Sequence, residues 1–213
     1  IKIPIGKSDW ICAKYFPLSE AKWTILYSHG NGEDIGDLFA LAKLFNDKGF
    51  SAFFYDYRGY GASSGNPSEK NTYKDIEAAY DYMVKELKIP PEQIICHGFS
   101  LGGGVSANLA TKRKIAALVL EGSFETAFKV KLPVNIFLID RMRTNRKLKK
   151  IHVPVLIIHG KLDQIIPYKH GENLYKIANQ PKIFLLLENA GHGDASEKYP
   201  LEYWNAYNTL LTL

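Results

Sequence analysis

The sequence has few cysteines, no long apolar run and none of the usual metal or nucleotide motifs. Only Cys12 and Cys96 occur among its 213 residues, which excludes a disulfide framework. Cys96 falls in an apolar run, so we expect a buried free thiol. No apolar run approaches the roughly 20 residues that a bilayer-spanning helix needs. The patterns C-x-x-C, H-E-x-x-H, G-x-G-x-x-G and the P-loop lysine are all missing, so no metal and no cofactor is expected.

Length and composition indicate one globular domain. A chain of 213 residues, 46% hydrophobic and 23% charged, is typical of a soluble protein with a sizeable core. We therefore predict a single domain over Ile1–Leu213. With no secretory signal in view, a soluble cytoplasmic domain is favoured. The chain starts at Ile1 rather than Met, which leaves room for a removed targeting segment or anchor. Oligomeric state is open.

The positive charge is concentrated in one segment. The net charge is +5, yet Lys129–Lys150 contains eight basic residues and one acid, which leaves the remainder of the chain slightly negative. A nucleic-acid-binding protein is therefore not expected. Within this segment the apolar stretch VNIFLI, residues 134–139, precedes the basic stretch RMRTNRKLKK, residues 141–150. Two interpretations stay open: a lid with solvated charges, or a surface for an anionic membrane or acidic partner.

Strand-like and helix-like patterns alternate along most of the chain. Short β-branched or aromatic runs predict eight strands, at about Lys2–Ile5, Trp10–Phe16, Thr24–Ser28, Ser51–Asp56, Ile94–Gly98, Ala116–Leu120, Val155–His159 and Ile183–Leu187. Helices are predicted at Ile35–Lys48, from a capping box at Thr72 and Asp75 to Leu87, and at Leu101–Lys112, Tyr168–Ala178 and Tyr199–Leu211. This alternation predicts an α/β fold with a mainly parallel sheet covered on both faces. No strand–helix unit fits Gly122–Lys150, which we interpret as a short cap or lid insertion.

Ser100 has several glycines close to it in the sequence. Gly98-Phe99-Ser100-Leu101-Gly102 matches G-x-S-x-G directly after a predicted strand and before a predicted helix. That context is typical of a nucleophile elbow, a tight turn that projects the serine from the top of the sheet. Ser63 also lies in a G-x-S-x-G match, but within a loop. Ser100 is therefore the predicted nucleophile, and Ser63 is predicted to be an ordinary residue of a flexible loop.

A serine nucleophile needs a base and an acid to orient that base. Among six histidines, His192 in NAGHGD follows the last predicted strand and is the predicted base. Asp163 in HGKLDQIIP is the predicted acid, and Glu121 at the end of the preceding strand is its rival. The order serine, acid, histidine is that of α/β-hydrolases. The other histidines are assigned structural or solvated positions: His97 and His159 packed at strand ends, His152 and His170 in solvent.

Acyl transfer also needs hydrogen-bond donors for the developing oxyanion. The amide of Leu101, directly after the nucleophile, is one predicted donor. The second is expected from the loop His29-Gly30-Asn31-Gly32, which follows the third strand. Asn31 is the predicted donor, with Gly32 as the alternative, and His29 is expected to brace the backbone.

Five motifs, YSHGNGED, YDYRGYGASSG, CHGFSLGGG, VPVLIIHGKLDQIIP and NAGHGD, occur in this order. With them the chain resembles the α/β-hydrolases over about Trp10–Leu211, most closely the small bud-emergence-type branch that includes eukaryotic protein depalmitoylases. The resemblance implies the triad Ser100, Asp163 and His192, the oxyanion donors Asn31 and Leu101, and a structural Arg58. Many relatives carry a larger cap, so the short insertion implies an open site.

The expected function is that of a cofactor-free serine hydrolase that cleaves a carboxylic ester or thioester of a small-molecule or acylated substrate. Two alternatives stay open. A small peptidase or amidase would use the same triad, since the difference lies in the leaving group and the pocket. A non-catalytic binding member of the fold would have no physical need for this serine, acid and imidazole together.

Overall fold

An eight-stranded sheet forms the centre of the computed structural model, which describes residues 1–126 and 142–213. The strands are β1 (Lys2–Ile5), β2 (Asp9–Phe16), β3 (Thr24–Ser28), β4 (Ser51–Tyr55), β5 (Ile94–Phe99), β6 (Ala117–Glu121), β7 (Val155–Gly160) and β8 (Lys182–Leu187). All eight predicted strands are confirmed, with ends that differ by one residue at most.

The sheet is antiparallel at one edge and parallel elsewhere. Its order is β1-β2-β4-β3-β5-β6-β7-β8. Strand β2 pairs antiparallel with β1 and β4, and every other neighbouring pair is parallel. Every residue of β3, β4, β5, β6 and β7 is buried. Strands covered on both faces read as continuous apolar runs, which is why the sequence identified them readily.

The described residues form seven α-helices: α1 (Phe39–Asp47), α2 (Glu69–Lys85), α3 (Leu101–Ala110), α4 (Thr144–Leu148), α5 (Lys169–Ile177), α6 (Ala195–Lys198) and α7 (Pro200–Leu210). Apolar residues of α2, α3, α4 and α5 pack in one core cluster with the sheet. Those of α1, α6 and α7 belong to a second cluster. Helices therefore cover both faces of the sheet.

The predicted start of α2 is wrong. The helix begins at Glu69, and Ser68 is its N-cap, because the Ser68 hydroxyl accepts a hydrogen bond of 3.1 Å from the Asn71 amide. Thr72 is buried within the first turns, where its hydroxyl donates to the Glu69 carbonyl at 2.9 Å. A serine one turn upstream supplies the cap that Thr72 was expected to give.

Helix α1 begins at Phe39, four residues after the predicted start at Ile35. The amide of Ile35 donates to Asp56 Oδ1 at 2.8 Å. The amide of Gly36 donates to Asp34 Oδ1 at 2.7 Å. Side-chain carboxylates thus satisfy backbone groups that the first helical turn would have used, and they hold this stretch as a loop.

The predicted insertion Gly122–Lys150 is only partly described. Residues 127–141, with the apolar stretch 134–139, lie outside the described residues. The described end of the insertion forms α4, which the sequence did not predict. Within the two described ranges, every helix is too short or too polar to cross a membrane.

Candidate active site

Ser100 lies on the turn between β5 and α3 with φ 51° and ψ −113°. A positive φ is strained for any residue other than glycine, and the surrounding structure must hold it. The Ser100 amide donates to the Glu121 carbonyl at 2.8 Å, and the Ser123 hydroxyl donates to the Ser100 carbonyl at 3.1 Å. A neighbouring strand and the loop after it therefore fix the turn that projects Ser100.

The two glycines of the motif are required by close backbone contacts. A Cβ atom on Gly98 would overlap the carbonyl of Gly102 across the turn. A Cβ atom on Gly102 would overlap the carbonyl of Ser28 at the end of β3. The helix α3 thus approaches the sheet so closely that no side chain fits between them, which explains the glycines of the motif.

Asp163 and His192 meet at the same end of the sheet. The loop after β7 carries Asp163 and the loop after β8 carries His192, and His192 Nδ1 lies 2.7 Å from Asp163 Oδ2. The other carboxylate oxygen, Oδ1, accepts hydrogen bonds from the amides of Ile165 at 2.8 Å and Ile166 at 2.7 Å. The carboxylate is therefore held rigidly, with one oxygen directed at the imidazole.

The surroundings of Asp163 favour its ionised form. Burial alone would raise the pKa of this carboxyl. Hydrogen bonds from His159, His192 and the Ile166 amide outweigh burial and hold the pKa well below its usual range. Asp163 can therefore remain anionic and stabilise a positive charge on His192.

Glu121, the rival acid, has other partners. Its Oε2 accepts a hydrogen bond of 2.7 Å from the Tyr203 hydroxyl and lies 3.1 Å from His97 Nε2. The Tyr207 hydroxyl contacts the other ring nitrogen of His97. Glu121 thus belongs to a buried network between the sheet and α7, whereas the histidine predicted as the base is paired with Asp163.

Ser100 and His192 line one cavity of about 530 Å³. Apolar side chains form much of its wall, namely Phe99, Leu101, Phe124 and Ile165. Ser100 is 8% exposed. In the part of the chain that the structure describes, the Ser100 hydroxyl forms no hydrogen bond, and catalytic contacts of this kind commonly tighten only when substrate binds. The cavity brings the predicted nucleophile, the predicted base and apolar walls together.

Both predicted oxyanion donors line this cavity. Leu101 is the first residue of α3, where backbone amides have no partner within the helix. The loop after β3 contributes Asn31, whose side-chain Oδ1 accepts a 2.7 Å hydrogen bond from the Tyr60 hydroxyl. The neighbouring Gly30 amide donates to Glu33 Oε2 at 2.7 Å. Gly32, the alternative donor, is not among the residues that line the cavity.

Of the remaining histidines, some are buried among protein partners and one is exposed to solvent. His29 is fully buried, its Nδ1 lies 2.8 Å from the Gly30 carbonyl, and burial lowers its pKa to about 4. His152 is exposed, as expected. The expectation that His170 is solvated is wrong, because it is 7% exposed and its Nδ1 lies 3.4 Å from Glu125 Oε2. His170 falls on the buried face of α5, which the polar sequence around it concealed.

The second G-x-S-x-G serine and the arginine of DYRGYG have structural partners. The Ser63 hydroxyl accepts from the Cys12 amide at 2.8 Å and donates to the Asp56 carbonyl at 3.0 Å. Arg58 is buried, and its Nε lies 2.7 Å from Asp75 Oδ1. Both residues tie the loop after β4 to its neighbours and lie outside the cavity lining.

Two supporting residues escaped the sequence analysis. His159 Nε2 lies 3.3 Å from Asp163 Oδ2. Glu33 holds the Gly30 amide beside the predicted oxyanion donor and lines the cavity. The four-residue spacing of His159 and Asp163 was visible in HGKLD, but only the bend after β7 brings the two side chains together. Among the described residues, no group of three or more His, Cys, Asp or Glu side chains could hold a metal ion.

The order of the strands and the strained turn after β5 define the class of the protein: it has the α/β-hydrolase fold. Solved structures agree. An esterase from Exiguobacterium antarcticum matches with a TM-score of 0.78 at 17% identity, covering 100% of this chain and 99% of that one. The Pyrococcus furiosus esterase Pf2001 matches with a TM-score of 0.82 at 16% identity, covering 100% and 90%.

Sequence comparisons identify the family. The profile of the family described as "Serine aminopeptidase, S33" matches residues 19–143, and the chain belongs to this family of the α/β-hydrolase superfamily. It is 40% identical over 177 residues to human alpha/beta hydrolase domain-containing protein 17B, covering 82% of this chain and 62% of that protein. It is 36% identical over 186 residues to aho-3 of Caenorhabditis elegans, covering 86% and 56%. The chain therefore spans less than two thirds of the length of these relatives.

Proposed function

We propose that the protein is a serine hydrolase that cleaves a carboxylic ester or thioester through an acyl-enzyme intermediate. The observation that carries this proposal is the 2.7 Å contact between Asp163 and His192 at a cavity that Ser100 also lines. An anionic acid, an imidazole and a serine on a strained turn form the constellation that activates a hydroxyl for acyl transfer.

Each residue has a distinct role in the proposed reaction. Ser100 Oγ attacks the acyl carbon while His192 Nε2 takes the hydroxyl proton. Asp163 holds the imidazole through Nδ1 and stabilises its charged form. The amides of Leu101 and Asn31 donate hydrogen bonds to the oxyanion. The tetrahedral intermediate then expels the alcohol or thiol, which receives the proton from His192, and water releases the acid through the same base.

The cavity wall supports an acyl substrate. Phe124 is buried at the wall, and Ile165 is 49% exposed beside it, although its side chain is large and apolar. Such a wall can bury the hydrocarbon part of an acyl chain, at about 0.8 kcal/mol for each methylene removed from water. We therefore expect activity to increase with acyl length until the cavity is filled.

A peptidase or amidase is the second candidate, because the matching family is described as a serine aminopeptidase. The same triad serves both reactions, and the leaving group distinguishes them. Matched ester, thioester and amide substrates of increasing acyl length separate the two candidates. Faster turnover of esters and thioesters supports the proposal. Faster turnover of amides moves the protein to the peptidases, and a complete lack of hydrolysis and of fluorophosphonate labelling leaves a binding protein.

A further inference from the structure

A second cavity of about 370 Å³ adjoins the predicted catalytic cavity. The two share three lining residues, Glu33, Phe99 and Gly193. The second cavity lies between α1, the loop that carries His192, and α7. Its wall combines leucines of α1 with four acidic side chains, Glu33, Asp37, Glu121 and Glu197. We call it the acidic cavity.

The four carboxylates are arranged from mouth to base. Asp37 and Glu197 are exposed, Glu33 is partly buried and Glu121 is 8% exposed. Within residues 1–126 and 142–213, none of them forms an ion pair with a lysine or arginine. Asp75, Asp81 and Glu188, by contrast, are each paired with such a cation.

A buried tyrosine gives independent support for a ligand at this place. Tyr27 lines the acidic cavity and is 4% exposed, and its hydroxyl forms no hydrogen bond with any residue that the structure describes. Burial and the nearby negative charges of Glu121 and Glu33 raise the pKa of Tyr27 well above its usual value. The hydroxyl is therefore left to pair with a ligand or with water in the acidic cavity. A cationic N–H group would satisfy the hydroxyl oxygen and the carboxylates together.

The position of the acidic cavity indicates which part of a substrate would enter it. His192 must hand its proton to the leaving oxygen or sulfur, so the leaving group lies on the His192 side of the acyl carbon. Gly193 directly follows His192 and lines the acidic cavity, whereas Phe124 and Ile165 line only the catalytic one. We propose that the acidic cavity binds a cationic group, an ammonium or a guanidinium, carried by the alcohol or thiol that the enzyme releases.

This inference rests on the proposed hydrolase function, so its test compares two thioesters of one acyl chain. The first is octanoyl dimethylaminoethyl thioester, whose leaving thiol carries a tertiary ammonium with one N–H. The second is octanoyl isopentyl thioester, in which a carbon replaces that nitrogen. The measured quantity is the ratio of the two kcat/KM values, after subtraction of uncatalysed hydrolysis. Differences in thiol reactivity cancel when this ratio is compared between protein variants.

Removing the charge at the mouth of the acidic cavity should lower this ratio. Partly exposed ion pairs are individually weak, so we expect the double variant Asp37→Asn, Glu197→Gln to lower it about five- to tenfold. Tyr27→Phe should lower it as well, because the hydroxyl partner is lost without loss of charge. The double variant Glu20→Gln, Glu86→Gln removes the same net charge from exposed sites outside the acidic cavity and should keep the wild-type ratio.

The outcomes separate this inference from the proposed function. An unchanged ratio in the Asp37, Glu197 variant, or an equal fall in the Glu20, Glu86 variant, overturns the cation site while hydrolysis itself stands. If neither thioester is hydrolysed, the proposed function fails. The charge preference is then read from binding of the two matched, non-hydrolysable thioethers to the Ser100→Ala protein. Equal affinity for the two thioethers would also overturn the cation site.

Discussion

His159 Nε2 lies 3.3 Å from Asp163 Oδ2, the same oxygen that His192 Nδ1 contacts at 2.7 Å. His159 Nε2 is also 2.8 Å from the Ile166 carbonyl. A carbonyl only accepts hydrogen bonds, so this nitrogen carries the proton and donates it to the Ile166 carbonyl, and the same N–H lies beside Asp163 Oδ2. The carboxylate that orients His192 is thus itself oriented by a second, buried histidine.

This arrangement predicts which acid the reaction needs. Replacing the orienting carboxylate of a triad by an amide typically lowers turnover by about 10⁴, because the imidazole loses the support for its tautomer and its charge. We expect this loss for Asp163→Asn in steady-state hydrolysis of an ester. Glu121→Gln should change turnover far less, since its partners are Tyr203 and His97. The reverse ranking would move the acid to the end of β6.

Because α3 contacts the sheet so closely, we expect one added methyl group at this contact to lower the stability of the fold strongly. Gly102→Ala would drive a Cβ atom into the Ser28 carbonyl, and we expect it to lower the free energy of unfolding by at least about 3 kcal/mol. Gly104→Ala, two residues further along the same helix, meets only side-chain atoms of Met142 and Thr144 at 3.2 to 3.3 Å. We expect Gly104→Ala to change the free energy of unfolding by no more than about 1 kcal/mol. Urea unfolding of both variants tests the difference, and equal stabilities would contradict it.

The raised pKa of Asp56 predicts that the stability of the folded protein depends on pH. Burial raises the pKa of this carboxyl from 3.8 to about 6 in the folded protein, and its neighbour His29 stays neutral down to about pH 4. The folded protein therefore takes up a proton at Asp56 more readily than the unfolded chain, so the ionised form costs stability above pH 6. That cost disappears as the pH falls from 6 towards 3.8.

Asp56→Asn removes this ionisation while an oxygen acceptor is kept for the Ile35 amide. We expect the melting temperature of the variant minus that of the wild type to be higher at pH 7 than at pH 4.5. Thermal unfolding at the two pH values measures the difference. A difference that does not change with pH would show that Asp56 titrates normally.

The described basic residues of the segment Lys129–Lys150 predict contact with an anionic surface. Arg143, Arg146, Lys149 and Lys150 are exposed on and beside α4, and none forms an ion pair with another described residue. Each basic residue near an anionic bilayer contributes about 1 kcal/mol. We therefore propose binding to anionic vesicles at low salt, weakened at least about tenfold when the four are changed to Gln. Co-sedimentation with anionic and neutral vesicles measures it.

Lys147 is not part of this surface, because its Nζ donates to the Gly104 carbonyl at 2.9 Å and contacts Tyr73. A matched control removes four exposed lysines that pair with acids elsewhere, Lys43, Lys85, Lys112 and Lys161. It should bind nearly as well as wild type. An equal loss of binding to anionic vesicles in the two variants would show that only net charge matters. Equal binding of the wild type to anionic and neutral vesicles would show that the basic residues play no role.

The sequence predicted the sheet better than the details of the helices. Strands such as β5 and β7 are buried on both faces, so continuous apolar runs mark them. The start of α2 depended on whether Ser68 or Thr72 capped it, and the start of α1 on the carboxylate of Asp56, which directly follows β4. Competing local hydrogen bonds of this kind cannot be ranked from the pattern alone.

The candidate site was predictable where a motif combines with its place in the fold. Ser100, Asp163 and His192 each follow a strand of the parallel sheet, and carboxyl ends of such strands meet at one edge. His159 and Glu33 were missed because each acts through a contact that exists only in the folded chain. The burial of His170 was missed because polar neighbours concealed the buried face of α5.

Labelling by a fluorophosphonate tests the central claim most directly, because this probe reacts with an activated serine. We expect the wild-type protein and Ser63→Ala to be labelled and Ser100→Ala to show no labelling. Ser63 is the matched control, since it lies in the other G-x-S-x-G match and its hydroxyl is bonded to the backbone at Cys12 and Asp56. Persistent labelling of the Ser100→Ala protein, with its folding checked by circular dichroism, would contradict the account.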